Sequence, residues 1–153
     1  MRTRVRSALV ALAAAWLSSC AGAGQPPAPR EIAIGVDACR YCHMAIDAPE
    51  RAAQWIGEDG RVLVFDEPGC LVAWLEEHPE ARGEAYFAAA EDGRWIAAAD
   101  ARFVRGGART DMGFDVVAYG DVAAARRAAA DRGGSVEDWE TLIRKGVERG
   151  HAH

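Results

Sequence analysis

The sequence predicts an α+β domain made of two loosely repeated ββαβ-like halves. Three observations lead there. Apolar runs flank Glu58-Asp59-Gly60, and Asp-Gly between such runs is a strong hairpin signal. Capped helical stretches then follow strand-like stretches in each half. Finally, Glu58-Asp59-Gly60-Arg61 returns as Glu91-Asp92-Gly93-Arg94 at a spacing of 33. A period near 33 also occurs in helical repeat arrays, but the strands on either side exclude those.

In chain order, "AAQWIGEDGRVLVFDE" reads as the first hairpin. Asp66 is placed to cap "EPGCLVAWLEEH", with Pro68 in the first turn. Leu71, Trp74, Leu75 and His78 share one face at helical spacing, and Pro79 stops the helix. "EAYFAAA" is the next strand. "RWIAA", "RFVRG" and "GFDVVAYG" are strands of the second half. Asp121 caps the Ala-rich "VAAARRAAAD", Gly133-Gly134 ends it, and "SVEDWETLIRKGVERG" reads as a last amphipathic helix. Antiparallel pairing within each half is expected.

The first nineteen residues stand apart. Arg2, Arg4 and Arg6 precede an apolar stretch from Ser7 to Leu17. That is shorter than the roughly 20 residues a spanning helix needs, and it suits a secretory signal peptide. The stretch closes on Leu17-Ser18-Ser19-Cys20, which resembles a lipobox whose cysteine is acylated and becomes the new N-terminus. Two or more acyl chains bind a membrane stably. Ala21 favours the outer membrane, since an aspartate there would resemble an inner-membrane retention signal. Residues 20–30 are small and Pro-rich, a flexible tether. Residues 31–153 form the domain, with halves at about 31–90 and 91–153.

The formal net charge is −5, and loss of the three leader arginines makes it more negative still. Such a chain has no general reason to bind nucleic acid. No nucleophile–base arrangement and no phosphate loop is legible. Trp55, Trp74, Trp95 and Trp139 read as core or partial core, and Glu76, Glu77 and Glu80 as a solvated helix face. A non-enzymatic role is therefore expected.

The chemistry concentrates in "DACRYCHMAID", residues 37–47. With Cys20 lipidated, Cys39, Cys42 and Cys70 remain, an odd number that leaves a free thiol or metal ligand in an oxidising compartment. Structural zinc would take four ligands, and Cys70 and His78 lie about 12 Å apart along one helix, too far for one ion. Cys70 alone reads as a small buried thiol. A thioredoxin-like site would need a long helix after the motif, which Pro49 interrupts.

Two readings of the motif remain. Cys39-x-x-Cys42-His43 is literally the attachment signature of c-type haem, and would make the chain an electron carrier with Met112 as a second axial ligand. Against it, no helix is signalled before Cys39 to wall a haem. The other reading is Cu(I), which prefers thiolate and thioether. After the initiator the chain has only Met44, inside the motif, and Met112, in the Gly-flanked turn "RTDMGFD". Neither lies on an apolar helical face. Cys39, Cys42, Met44 and Met112 are the candidate copper ligands. The C-terminal His151 and His153 read as inert.

The succession "CRYCHMAI", "FDEPGCLVAWL" and "DMGFDVVAYGD" before an Ala-rich helix resembles the nitrous-oxide-reductase accessory lipoproteins of the NosL family, over roughly residues 36–136. The resemblance implies a lipid-anchored periplasmic Cu(I) chaperone with two halves similar to the organomercurial lyase fold. It implies delivery of Cu(I) to nitrous oxide reductase or a similar copper enzyme, with a membrane maturation complex as partner. Cys39, Cys42, Met44 and Met112 match the family motif. Many members carry glycine at the position of His43.

Overall fold

The computed structural model describes residues 28–149. The leader, Cys20, most of the tether, His151 and His153 lie outside the described residues.

β1 (Ala53–Gly57) and β2 (Val62–Phe65) form the expected hairpin, with Gly60 at φ +77° in its turn. α1 (Pro68–Glu77) follows, and β3 (Gly83–Ala88) returns on the other side of β1. β4 (Trp95–Ala97) then pairs with β3, giving an antiparallel sheet in the order β2-β1-β3-β4. The second sheet has the order β6-β5-β7, from β5 (Arg102–Arg105), β6 (Val116–Tyr119) and β7 (Ser135–Glu137). α2 (Val122–Arg132) sits between β6 and β7 in sequence, and α3 (Trp139–Lys145) follows. Each half is thus ββαβ, with its first strand central and antiparallel to both neighbours.

The 33-residue echo has a different origin from the one expected. Its two copies are the β1–β2 and β3–β4 turns, both within the first sheet. Asp59 Oδ1 accepts from Arg61 N and Asp92 Oδ1 from Arg94 N, so the echo is shared turn chemistry. The doubled ββαβ order stands without it, but "RWIAA", expected in the second half, is β4 and pairs with β3 in the first sheet, because the tight turn after β3 folds it straight back.

Two local expectations are corrected. "SVE" begins a strand rather than the last helix: β7 pairs with β5, and Asp138 caps α3 through Thr141 N at 2.8 Å. Val136 and Ser135 supply the register, and the antiparallel ladder outweighs helix propensity. Asp66 does not cap α1 either. The N-cap position falls on Glu67, and no side chain caps the helix. Pro68 begins the helix without an N–H to satisfy, which lowers the need for a cap. Asp121, in contrast, caps α2 as expected, accepting from Ala124 N at 2.6 Å.

One apolar core runs under both sheets. Phe87 from β3 meets Phe103 from β5 edge-on at 4.8 Å, and Trp139 closes on both at 5.4 and 5.8 Å. Fully burying a side chain of this kind contributes roughly 1.5–3 kcal/mol. α1 packs with Leu71, Val72 and Trp74 inside. His78 stacks on Trp74 at 4.4 Å, near the C-terminal end of α1 and far along the helix from Cys70.

Candidate metal centre

The cysteine motif is a closed loop. Cys39 N donates to Met44 O at 2.8 Å, His43 N to Cys39 O at 3.0 Å, and Ala38 bridges Ala45. Arg40 N donates to Val64 O at 2.8 Å, which docks the loop on β2. β2 leads straight into α1, so the loop comes to rest beside the start of the helix that carries Cys70.

The result is a group of three sulfurs. The Sγ atoms of Cys39, Cys42 and Cys70 all lie within 4.8 Å of one another, and none of the three is in a disulfide. Cys39 and Cys70 are buried and Cys42 is half-buried, giving the group one open side. Among the described residues no other cluster of histidine, cysteine or carboxylate side chains could hold a metal ion.

The electrostatics of the group are uneven. The Cys70 thiol faces the Cys39 sulfur, and the N–H groups of Cys42, Asp66 and Tyr41 add to its influence. Against the cost of burial, these hold the Cys39 thiol down at about 5. Cys70 is pushed up by Cys39 facing it, and burial adds to the effect. Burial also raises Cys42, although the N–H of Met44 opposes it. At neutral pH the group therefore holds one thiolate and two thiols, a nearly assembled soft-ligand set.

Placement of the four expected ligands differs by residue. Cys39 and Cys42 stand together as the motif spacing implied. Met44 follows them on the same loop and is 53% exposed. Met112 is half-buried against the core, in the loop that joins β5 to β6. That loop lies near the site: Asp66, whose N–H points at Cys39, has its carboxyl raised by burial and then by the charges of Cys39 and Asp111.

Cys70 belongs to the group, although by sequence alone it reads as a small buried thiol. The available signal was its position three residues into a helix that directly follows the hairpin. His43 is exposed and outside the group, with φ at +62°, in the left-handed region that favours glycine. Glycine is the residue that conformation favours. Covalent haem on Cys39 would break the sulfur packing just described, and His43 faces solvent rather than the sulfurs.

A family model described as NosL matches residues 32–147. The chain belongs to the NosL family. Its fold is also similar to the crystal structure of the copper chaperone NosL from Shewanella denitrificans. The TM-score is 0.69 at 20% sequence identity, covering 79% of this chain and 99% of that one. Likeness at that identity speaks for the fold. No curated protein matches the chain. NosL membership agrees with the motif order from Cys39 to Met112.

A second feature brings the C-terminal end of the described chain to the site. Gly146 O accepts from Arg105, and Val147 N donates to Glu76 Oε1, so residues 146–149 lie across the end of α1. The Arg149 guanidinium then rests 5.6 Å from the Tyr41 ring centroid and 5.8 Å from that of Phe114. Tyr41 lies between Cys39 and Cys42, so Arg149 places a positive charge beside the sulfur group.

Proposed function

We propose that this protein binds Cu(I) and passes it on, as a copper chaperone. The observation that carries the reading is the convergence of three sulfurs, from the loop of Cys39 and Cys42 and from α1, at one half-open site. Thiolates select soft ions, and Cu(I) is the soft ion of the first-row series. Met44 and Met112 are the neutral thioethers that complete the set. A chaperone must hold its cargo and still release it. A buried Cys39 and Cys70 with a more open Cys42 and Met44 suit both demands, because a partner can approach from the open side.

The wider setting follows the family. We infer that Cys20 carries lipid and tethers the domain to the periplasmic side of a membrane, the outer one favoured by Ala21. The client is a copper enzyme, with nitrous oxide reductase the one that NosL membership suggests, served together with its membrane maturation complex. The role is transfer rather than catalysis.

The test is an anaerobic competition titration against a Cu(I) chelator, comparing the native chain with Cys39→Ser/Cys42→Ser. Loss of tight binding in the double variant is expected. Unaltered affinity would remove this site from consideration. A Soret band surviving denaturation, in protein made alongside haem maturation machinery, would favour the electron-carrier alternative.

A further inference from the structure

Glu67 is a buried acid. It is 2% exposed, and among the described residues its carboxylate has no ion pair. It does not cap α1, although it stands at the N-cap position. Instead its side chain crosses to the loop between β5 and β6. Thr110 Oγ1 donates to Glu67 Oε1 at 3.0 Å, across 43 residues of sequence. Burial raises the Glu67 carboxyl to about 7, and Thr110 and the backbone N–H groups of Met112 and Phe114 act against that rise. Thr110 Oγ1 in turn accepts from Asp115 N at 3.1 Å, and Gly113 N donates to Thr110 O at 3.0 Å.

The consequence is that Glu67 ties the turn from Thr110 to Asp115 to the start of α1 through Thr110. A buried carboxyl with a donor is partly satisfied, whereas the Thr110 hydroxyl without it would lose its acceptor. A neighbouring contact supports the same docking. A Cβ built on Gly69 would stand 2.2 Å from Phe114 Cβ, so the loop and the first turn of α1 touch without a side chain between them. Phe114 also meets Tyr41 at 6.1 Å between centroids, which joins the loop to the cysteine motif. Met112 sits in the middle of this bound turn, and Cys70 follows Glu67 by three residues on the other side of the contact.

We propose that Glu67 is a positioning residue for copper, holding the Met112 loop against α1 so that the thioether faces the sulfurs of Cys39, Cys42 and Cys70. The inference rests on the reading of Met112 as a copper ligand. Glu67 itself does not touch the ion. A carboxylate is suited to the task because it offers acceptor atoms to several donors at once. Glutamine of the same shape would set an NH₂ group against one of those donors.

The experiment is a double-mutant cycle on Cu(I) affinity, measured by chelator competition on Met112→Leu, Glu67→Gln and the two together, with apo thermal unfolding in parallel. Glu67→Gln is expected to weaken Cu(I) by about tenfold, as loss of an outer-shell partner does, and to add nothing in the Met112→Leu background. X-ray absorption should show the same loss of a copper–sulfur contact in both single variants. If Glu67→Gln weakens binding equally in the Met112→Leu background, Glu67 acts through general structure and the proposal fails. If Glu67→Gln leaves affinity unchanged, it also fails. A silent Met112→Leu would overturn the assignment of Met112 as ligand, and the positioning role with it, which the single variant reveals separately. Should Glu67→Gln not fold, Thr110→Ala removes one donor, keeps the carboxylate, and goes through the same cycle. Additivity there overturns the proposal.

Discussion

The Cys70 sulfur lies within 4.8 Å of the Cys39 sulfur, bringing together two cysteines 31 residues apart in sequence. Cys70 is the largest of the influences that hold the Cys39 thiol down, and it adds a third sulfur to the motif pair. Cys70→Ala should therefore do two things. It should weaken Cu(I) binding, by about one to two orders of magnitude, the range typical for loss of a partner at a metal site. It should also raise the Cys39 thiol from about 5 toward the ordinary thiol range, seen as a shift in the ultraviolet thiolate absorbance of the apo protein. If neither quantity moved, Cys70 would be a packing residue and the site would consist of the motif alone.

Copper binding should release protons. Cys39 is already ionised at neutral pH, whereas Cys42 and Cys70 are pushed up and hold theirs. Three thiolates on Cu(I) thus displace about two protons near pH 7. Affinity should fall as pH falls, and fall more steeply below about 5, where Cys39 is protonated as well. Calorimetry in buffers of different ionisation enthalpy counts the protons directly. A heat independent of buffer would contradict a three-thiolate site.

Gly69→Ala should damage the site from outside it. The added methyl carbon meets Phe114 at 2.2 Å, and both partners are held, one in a helix and the other in a bound turn. Overpacking of this kind costs about 1–3 kcal/mol. Displacement of the 110–114 turn should also lower Cu(I) affinity, because Met112 moves with it. Chemical denaturation and chelator competition on the same samples read both effects. Native values for both would show that the turn can yield.

Glu137 makes the second sheet sensitive to acid. It is 6% exposed, and burial would raise its carboxyl, but Lys145 at 2.7 Å and Arg105 at 3.1 Å outweigh burial and hold it below the usual glutamate range. A depressed carboxyl contributes stability that is fully present above its unfolded value, near 4.5, and is lost as pH falls through the lower folded value. Thermal unfolding followed from neutral pH downward should show this loss. Glu137→Gln should remove the acid step and cost about 1–2 kcal/mol at neutral pH, since Lys145 is open to water and its pair is partly screened. An unchanged acid profile in the variant would place the sensitivity elsewhere.

Local chemistry made much of this protein legible in one dimension. Asp59-Gly60 dictates a tight turn because glycine tolerates positive φ, and the apolar runs around it then pair. Asp121 and Gly133 bracket α2 because a carboxylate satisfies free N–H groups at one end and a left-handed residue satisfies carbonyls at the other. Cys39, Cys42, Met44 and Met112 were visible as soft donors because their side chains offer little else at such positions.

Other features depended on partners distant in sequence. Asp66 and Glu67 are adjacent acids before a proline, and nothing local says that the first turns toward Cys39 while the second crosses to Thr110. "SVE" could equally begin a helix until β5 supplies a strand to pair with. Cys70, read alone, is a small thiol that burial would explain. It joins the site only because the hairpin delivers the motif loop to the start of α1, and proximity in space, not residue type, makes three sulfurs one group. Sequence determines which atoms can bind a soft ion; only the fold decides which of them meet, because meeting requires the long-range packing that brings separate segments together.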